Sequence, residues 1–252
     1  MNLAEQLAEL RNNILRDRSD LIAGDADSLW TDATLLSYIK DAEWRFARRT
    51  LMLRDATTSA TCRVVLANGV KTYALHEAVI GVLSARYDTD DFDLKRSGHA
   101  IVASYTPPEF LELNPAASYA LPPGRPQAFF TDETLVYSGL NRVTMTLFPI
   151  PSATEDGKVV MLRVMRRPLT CYTSDDLERE SEIPEDYQLD VLEWAAYRAL
   201  RGFDSDAGSP TKADAHKAEF EEAILRAQNE MKRKAMVATG IRFGYNGFSW
   251  TR

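Results

Sequence analysis

Three histidines and two cysteines in 252 residues leave this chain short of the side chains from which metal sites are built. His76 precedes Glu77, but four positions beyond His76, where a zinc-protease helix carries its second histidine, stands Ile80. His99 and His216 have no cysteine near them and no ligand-like spacing, so all three read as surface or locally hydrogen-bonded side chains. Cys62 and Cys171 lie far apart and form no metal pattern, which fits buried thiols in a reducing cytoplasm. The stretch Asp88-Thr-Asp90-Asp91-Phe92-Asp93 fails as a calcium loop, because Phe92 takes a ligand position and Asp93 replaces the turn glycine. There is no Gly-x-Ser-x-Gly nucleophile setting. Gly240, Gly244 and Gly247 precede no Lys-Ser or Lys-Thr, which excludes a phosphate loop. No apolar stretch approaches the roughly 20 residues that span a bilayer, and the N-terminus lacks a signal peptide's basic start. Basic residues are also in deficit, 30 against 37 acidic, for a net charge of −7. That argues against a surface that grips nucleic acid and fits one past which DNA slides. The expectation is a soluble, intracellular, non-enzymatic protein with no cofactor, no metal and no membrane partner.

What the chain does have is two helical ends and a β-rich middle. Leu3, Leu7, Leu10 and Ile14 fall on one helical stripe; Asn2 is placed to cap it, with Glu5 as the reciprocal capping carboxylate. Thr31 caps a second helix, with Trp30 and Leu35 as a hydrophobic staple and Leu35, Ile39, Ala42, Phe46 and Leu53 as its buried stripe. Arg45, Arg48, Arg49 and Arg54 crowd its C-terminal half, where cations suit the helix dipole. The first three are candidates for inter-subunit or channel charge.

Near the other end, Pro184 opens a helix striped by Leu189, Leu192, Ala196, Ala199 and Phe203. Ser209-Pro210 opens another, with Ala213, Lys217, Phe220, Ile224, Ala227, Met231 and Ala235 on one face, and Gly240 stops it. In the middle, Asn68-Gly69 between Cys62–Ala67 and Val70–Leu75 predicts a hairpin. Val79–Tyr87 is a further strand. Two alternating runs, around Val143, Met145 and Leu147 and around Val160, Leu162 and Val164, predict a second hairpin looped at Asp156-Gly157. The fold class is α+β. Residues 1–56 and 169–240 make a helical body from two helical hairpins, and 57–168 an inserted antiparallel, sandwich-like β-rich domain. Residues 241–252 form an unpatterned arm. Its Ile241, Arg242, Phe243, Tyr245, Phe248, Trp250 and Arg252 are of the types that anchor interfaces.

Several short pieces occur in an order that resembles the head-to-tail adaptor (tail tubular) proteins of short-tailed bacteriophages and related prophages. They are Leu29-Trp-Thr-Asp-Ala-Thr-Leu35, Tyr38-Ile-Lys-Asp-Ala42 with Arg48-Arg49, and Tyr73-Ala-Leu75. Leu147-Phe-Pro-Ile-Pro151, Val164-Met-Arg-Arg-Pro168 and Glu182-Ile-Pro-Glu-Asp-Tyr187 follow. Ala195-Ala-Tyr-Arg-Ala199 with Phe203-Asp204 closes the series. The acidic, proline-rich stretch from Asp88 to Arg125 departs from that pattern. The resemblance implies a structural virion protein at the head–tail junction, made in the host cytoplasm. It would form a dodecameric ring under the portal protein, with the arm reaching the portal, a tail tube or nozzle protein on the other face, and DNA passing through without sequence-specific binding. The alternatives are another neck or tail ring component, such as a stopper or tail terminator, and a hydrolase with carboxylates in a cleft of the β region.

Overall fold

The computed structural model describes residues 1–17, 29–87, 92–96, 122–132, 136–137, 140–169, 172–201 and 210–238. The chain divides into two units, Met1–Leu53 with Pro168–Arg252, and Arg54–Arg167. The α+β class holds, with N- and C-terminal helices packed together and a mixed sheet formed from the stretch between them in sequence.

In the first unit, helix α1 (Leu3–Glu9) starts where Asn2 accepts from the Glu5 N–H and Glu5 returns the bond to the Asn2 N–H. A π-helical turn, Leu10–Leu15, follows and ends at Arg16 in the left-handed region. Helix α2 (Asp32–Thr50) starts at Thr31, whose hydroxyl accepts from the Thr34 N–H, and ends at Leu51, also left-handed. Helix α4 (Glu185–Arg201) and helix α5 (Pro210–Ala238) complete the unit, α3 being a single turn in the other one. Their shared core holds Leu3, Leu10, Leu35, Ile39, Phe46, Val191, Trp194, Phe220 and Ile224. Phe46 meets both Tyr187 and Phe220, so α2, α4 and α5 converge on one aromatic cluster.

The core of this unit also contains a carboxylate. Glu43 is fully buried in α2. Its Oε1 accepts from Gln6 Nε2 at 3.0 Å and from Ser181 Oγ at 2.5 Å, and its Oε2 accepts from the Tyr172 hydroxyl. Burial pushes the Tyr172 phenol well above its ordinary value, and the Glu43 charge adds to the shift. The stretch 172–183 is held on α1 by main-chain bonds from Leu3 to Arg179 and from Ala4 to Leu177.

The second unit opens with β1 (Arg54–Asp55), α3 (Ser59–Cys62), β2 (Arg63–Val65), β3 (Thr72–Ala74), β4 (Val79–Tyr87) and β5 (Asp93–Arg96). It continues with β6 (Ala128–Asp132), β7 (Val136–Tyr137), β8 (Leu140–Asn141), β9 (Thr144–Phe148) and β10 (Val159–Arg166). One curled sheet of eight strands runs β1-β10-β4-β5-β6-β9-β3, with β2 beside β1 on the same edge of β10; β7 and β8 pair separately. Pairing is antiparallel except between β5 and β6, which run parallel. The chain between those two strands, residues 97–127, is long enough for the crossover that a parallel neighbour requires. Val82, Tyr87, Phe129, Met145, Leu147, Val160, Leu162 and Val164 form the core.

Neither expected hairpin forms. The turn at Asn68-Gly69 exists, with Gly69 at φ +74° and the Val70 N–H bonded to the Ala67 carbonyl. Its flanks part, however, β2 going to β10 and β3 to β9. The turn is held instead by the 151–157 loop, through Gly69 N–H to Pro151 and Asn68 N–H to Asp156. Likewise β9 pairs with β6 and β3, and β10 with β4, not with each other. Leu189 corrects the helical stripe: it is exposed, and the buried arc of α4 is the wider set Tyr187, Val191, Leu192, Trp194, Ala195, Ala196, Tyr197 and Ala199. Phe203, Gly240 and Cys171 lie outside the described residues.

Within the second unit Asp55 is closely held. β1 pairs Arg54 with Met165 and Asp55 with Val164. Burial alone would raise the Asp55 carboxyl. The N–H groups of Thr57 and Thr58, the Thr58 hydroxyl and the Arg166 guanidinium at 2.7 Å outweigh it and hold the group far below the usual carboxylate range. Cys62, buried beside it, has its thiol pushed up by that burial.

Candidate assembly surfaces

α4 places Trp194, Tyr197, Arg198 and Arg201 at spacings of three and four, so their side chains share one stripe. α2 supplies Tyr38, Asp41 and Arg45 opposite them. The Trp194 indole N–H donates to Asp41 Oδ2 at 2.8 Å, and Arg198 Nη1 donates to the same oxygen at 3.1 Å. The Arg45 guanidinium lies 3.9 Å from the centre of the Trp194 ring, and that of Arg198 lies 5.3 Å from Tyr38. Arg201 donates to the Tyr197 hydroxyl, and Lys217 of α5 stands 5.7 Å from the Tyr197 ring. Tyr38, Arg45, Trp194, Tyr197, Arg198 and Arg201 line an open cleft of about 410 Å³.

The rings of Trp194 and Tyr197 are buried, whereas Arg45, Arg198 and Arg201 are exposed. A cleft with an aromatic floor and a guanidinium rim suits carboxylates, because a guanidinium presents paired donors in a plane.

Of the arginines singled out in the sequence, Arg45 belongs to this cleft. Arg49 instead meets Glu221 of α5 at 2.6 Å, and that hydrogen bond holds the Glu221 carboxyl below its ordinary value. Arg48 is exposed. The cleft's other members went unread as a site, although the pattern Trp-x-x-Tyr-Arg-x-x-Arg at helical spacing was the signal available. Of the three histidines, His76 Nδ1 accepts from the Ala78 N–H. His216 binds Glu193 at 2.5 Å, linking α5 to α4. Burial raises the Glu193 carboxyl, against the pull of His216. Glu219 lies close enough for the three to offer ligand atoms within 4.8 Å of one another. Spacing in the sequence missed this group because Glu193 comes from the neighbouring helix. His99, and every arm residue named above from Ile241 to Arg252, fall outside the described residues.

The same unit carries a strip of opposite sign. Between Thr173 and Glu182 stand Asp175, Asp176, Glu178, Glu180 and Glu182, with Arg179 the one base. Asp175, Asp176, Glu178 and Glu180 are exposed, and Asp176 pairs with Arg179 at 3.8 Å.

No helix among the described residues is long and apolar enough to cross a membrane. No curated protein matches the chain. The model of the SU10 adaptor protein family matches residues 1–242, nearly the whole length, and ends inside the terminal segment. Helical ends, a β-rich middle and charged, aromatic recognition surfaces therefore come with a known kind of work: the chain belongs to the SU10 adaptor protein family, structural virion proteins that connect the phage head to the tail.

Proposed function

We propose that the protein forms a dodecameric ring beneath the portal protein, joins it to the tail tube or nozzle, and extends the channel through which DNA passes. The family match over residues 1–242 carries this reading. A net charge of −7 supports the part concerning DNA, since a wall that repels phosphate lets the duplex move. In this arrangement residues 1–56 and 169–240 act as the body, 57–168 as the insert and 241–252 as the arm that reaches the portal. Arg45, Arg48 and Arg49 face a neighbouring subunit or the channel.

Deletion of residues 241–252 tests the arm. The truncated protein is expected to keep the fold of both units and to lose attachment to purified portal, followed by co-sedimentation. Attachment at full strength without the arm refutes its role. Imaging of assembled particles tests the position: a ring lower in the tail, away from the portal, would replace this reading with that of a stopper or terminator.

A further inference from the structure

We propose that the aromatic and arginine cleft between α2 and α4 receives the acidic strip 173–182 of a second copy of this chain. The inference deepens the ring reading and rests on it. The charge and the placement of two patches carry it. The cleft rim is cationic, with Arg45, Arg198 and Arg201 lining it and Lys217 beside the Tyr197 ring, against two neighbouring carboxylates, Asp41 and Glu221. The strip is its chemical complement, a run of turns carrying five carboxylates and one arginine, with Asp175, Asp176, Glu178 and Glu180 exposed. Each patch pairs inside itself, Arg198 with Asp41 and Asp176 with Arg179. The strip rests on α1, whereas the cleft opens between α2 and α4.

A surface that bears both a socket and its complement, built on different helices, joins copies head to tail. Such a contact is heterologous, and it closes a ring or runs on as a filament according to the rotation between neighbours. The chain's own arm is a poor occupant, since Arg242 and Arg252 would meet like charge in the cleft. Duplex DNA is poorly suited too, because a pocket this small holds one or two planar groups and not a backbone.

The test uses the full-length protein mixed from ¹⁴N and ¹⁵N preparations at low ionic strength, treated with a carbodiimide that joins amines to carboxylates in contact. Cross-links of Lys217 to Asp175, Asp176 or Glu178 are expected, in peptides of mixed isotope. They are expected to vanish in Asp175→Lys/Asp176→Lys/Glu178→Lys, whose sites are exposed and whose melting should match the parent. Strip and cleft reversed in one chain, with Arg45→Glu and Arg198→Glu added, should restore self-association measured by sedimentation. If copies link only through other residues, this contact is wrong while the ring reading stands. If no copies associate yet imaged particles hold the ring, the contact is again overturned. Binding of a 20-base-pair duplex that is lost on reversing Arg45 and Arg198, without the cross-link, assigns the cleft to nucleic acid and overturns the proposal.

Discussion

Replacing Glu43 by alanine removes an acceptor that three donors share. Gln6 Nε2 is fully buried and loses its partner outright; the Tyr172 hydroxyl and Ser181 Oγ are partly buried and recover some hydration. An orphaned buried donor costs about 1–3 kcal/mol, and breaking a buried charged network about 3–5 kcal/mol. We expect a loss of about 4 kcal/mol from the helical unit. Glu43→Gln should cost less, about 2 kcal/mol, because one acceptor survives. Tryptophan fluorescence isolates the effect, since Trp30, Trp44 and Trp194 lie in the helical unit and residues 54–167 contain no tryptophan. With a urea m-value of about 2 kcal/mol/M, the alanine variant should unfold at about 2 M less urea, and the glutamine variant about midway. An alanine variant within about 1 kcal/mol of the parent would refute the view that this carboxylate ties α1, α2 and the 172–183 segment together.

Asp55→Asn should weaken the β unit at neutral pH and flatten its acid limb. The Asp55 carboxyl is held low in the folded state, so its stabilisation is complete above the unfolded value of about 3.9 and fades as pH falls below it. Urea melts of parent and variant at several pH values between neutrality and pH 3 should therefore converge on acidification; parallel curves would exclude the Asp55 contribution. Cys62 is buried with its thiol pushed up, so in a Cys171→Ser background it should react with a disulfide reagent only as the β unit opens. Labelling as fast as in urea-unfolded protein would contradict that burial. Arg49→Ala, which breaks an exposed pair with Glu221, should cost no more than about 1 kcal/mol by thermal melting; a larger loss would mean that the pair is shielded from water.

Features decided within one turn of chain were legible in the sequence. Asn2 with Glu5, and Thr31, cap the helices they were expected to cap, because the partner of a cap is three residues away. The alternation of Val160, Leu162 and Val164 gave the buried face of β10. Features decided by distant partners were not. Asn68-Gly69 makes the tight turn its sequence demands, but β2 and β3 have three residues each, and their pairing was settled by the longer β9 and β10. Thr144 and Thr146 looked solvent-facing by alternation; they are buried, with Thr146 Oγ1 against Thr72 Oγ1 at 3.2 Å. Glu43 in a helix reads as surface, and its burial becomes visible only once Gln6, Tyr172 and Ser181 are brought to it. The cleft was hidden for the same reason, since Tyr38 and Arg45 of α2 meet Arg198 and Trp194 of α4, some 150 residues further along the chain.

The exposed ion pairs of the helical unit bear on how such a protein assembles. Arg49–Glu221, Arg198–Asp41 and Arg226–Asp190 each contribute at most about 1 kcal/mol to folding in water. Stability therefore does not explain why the unit carries so many guanidiniums. A contact between copies made by one small cleft and one acidic strip is smaller than a lasting pairwise interface of roughly 1,000 Å², so free subunits should associate weakly and reversibly, at low ionic strength. The proposed ring, with twelve subunits held on a common hub, would be a different case. Each then makes the contact twice, at an effective concentration set by its neighbours, and the weak pairs add without new chemistry. Raising the salt should loosen rings lacking a hub long before it unfolds the subunits, because screening acts on the rim charges and leaves the buried core unchanged.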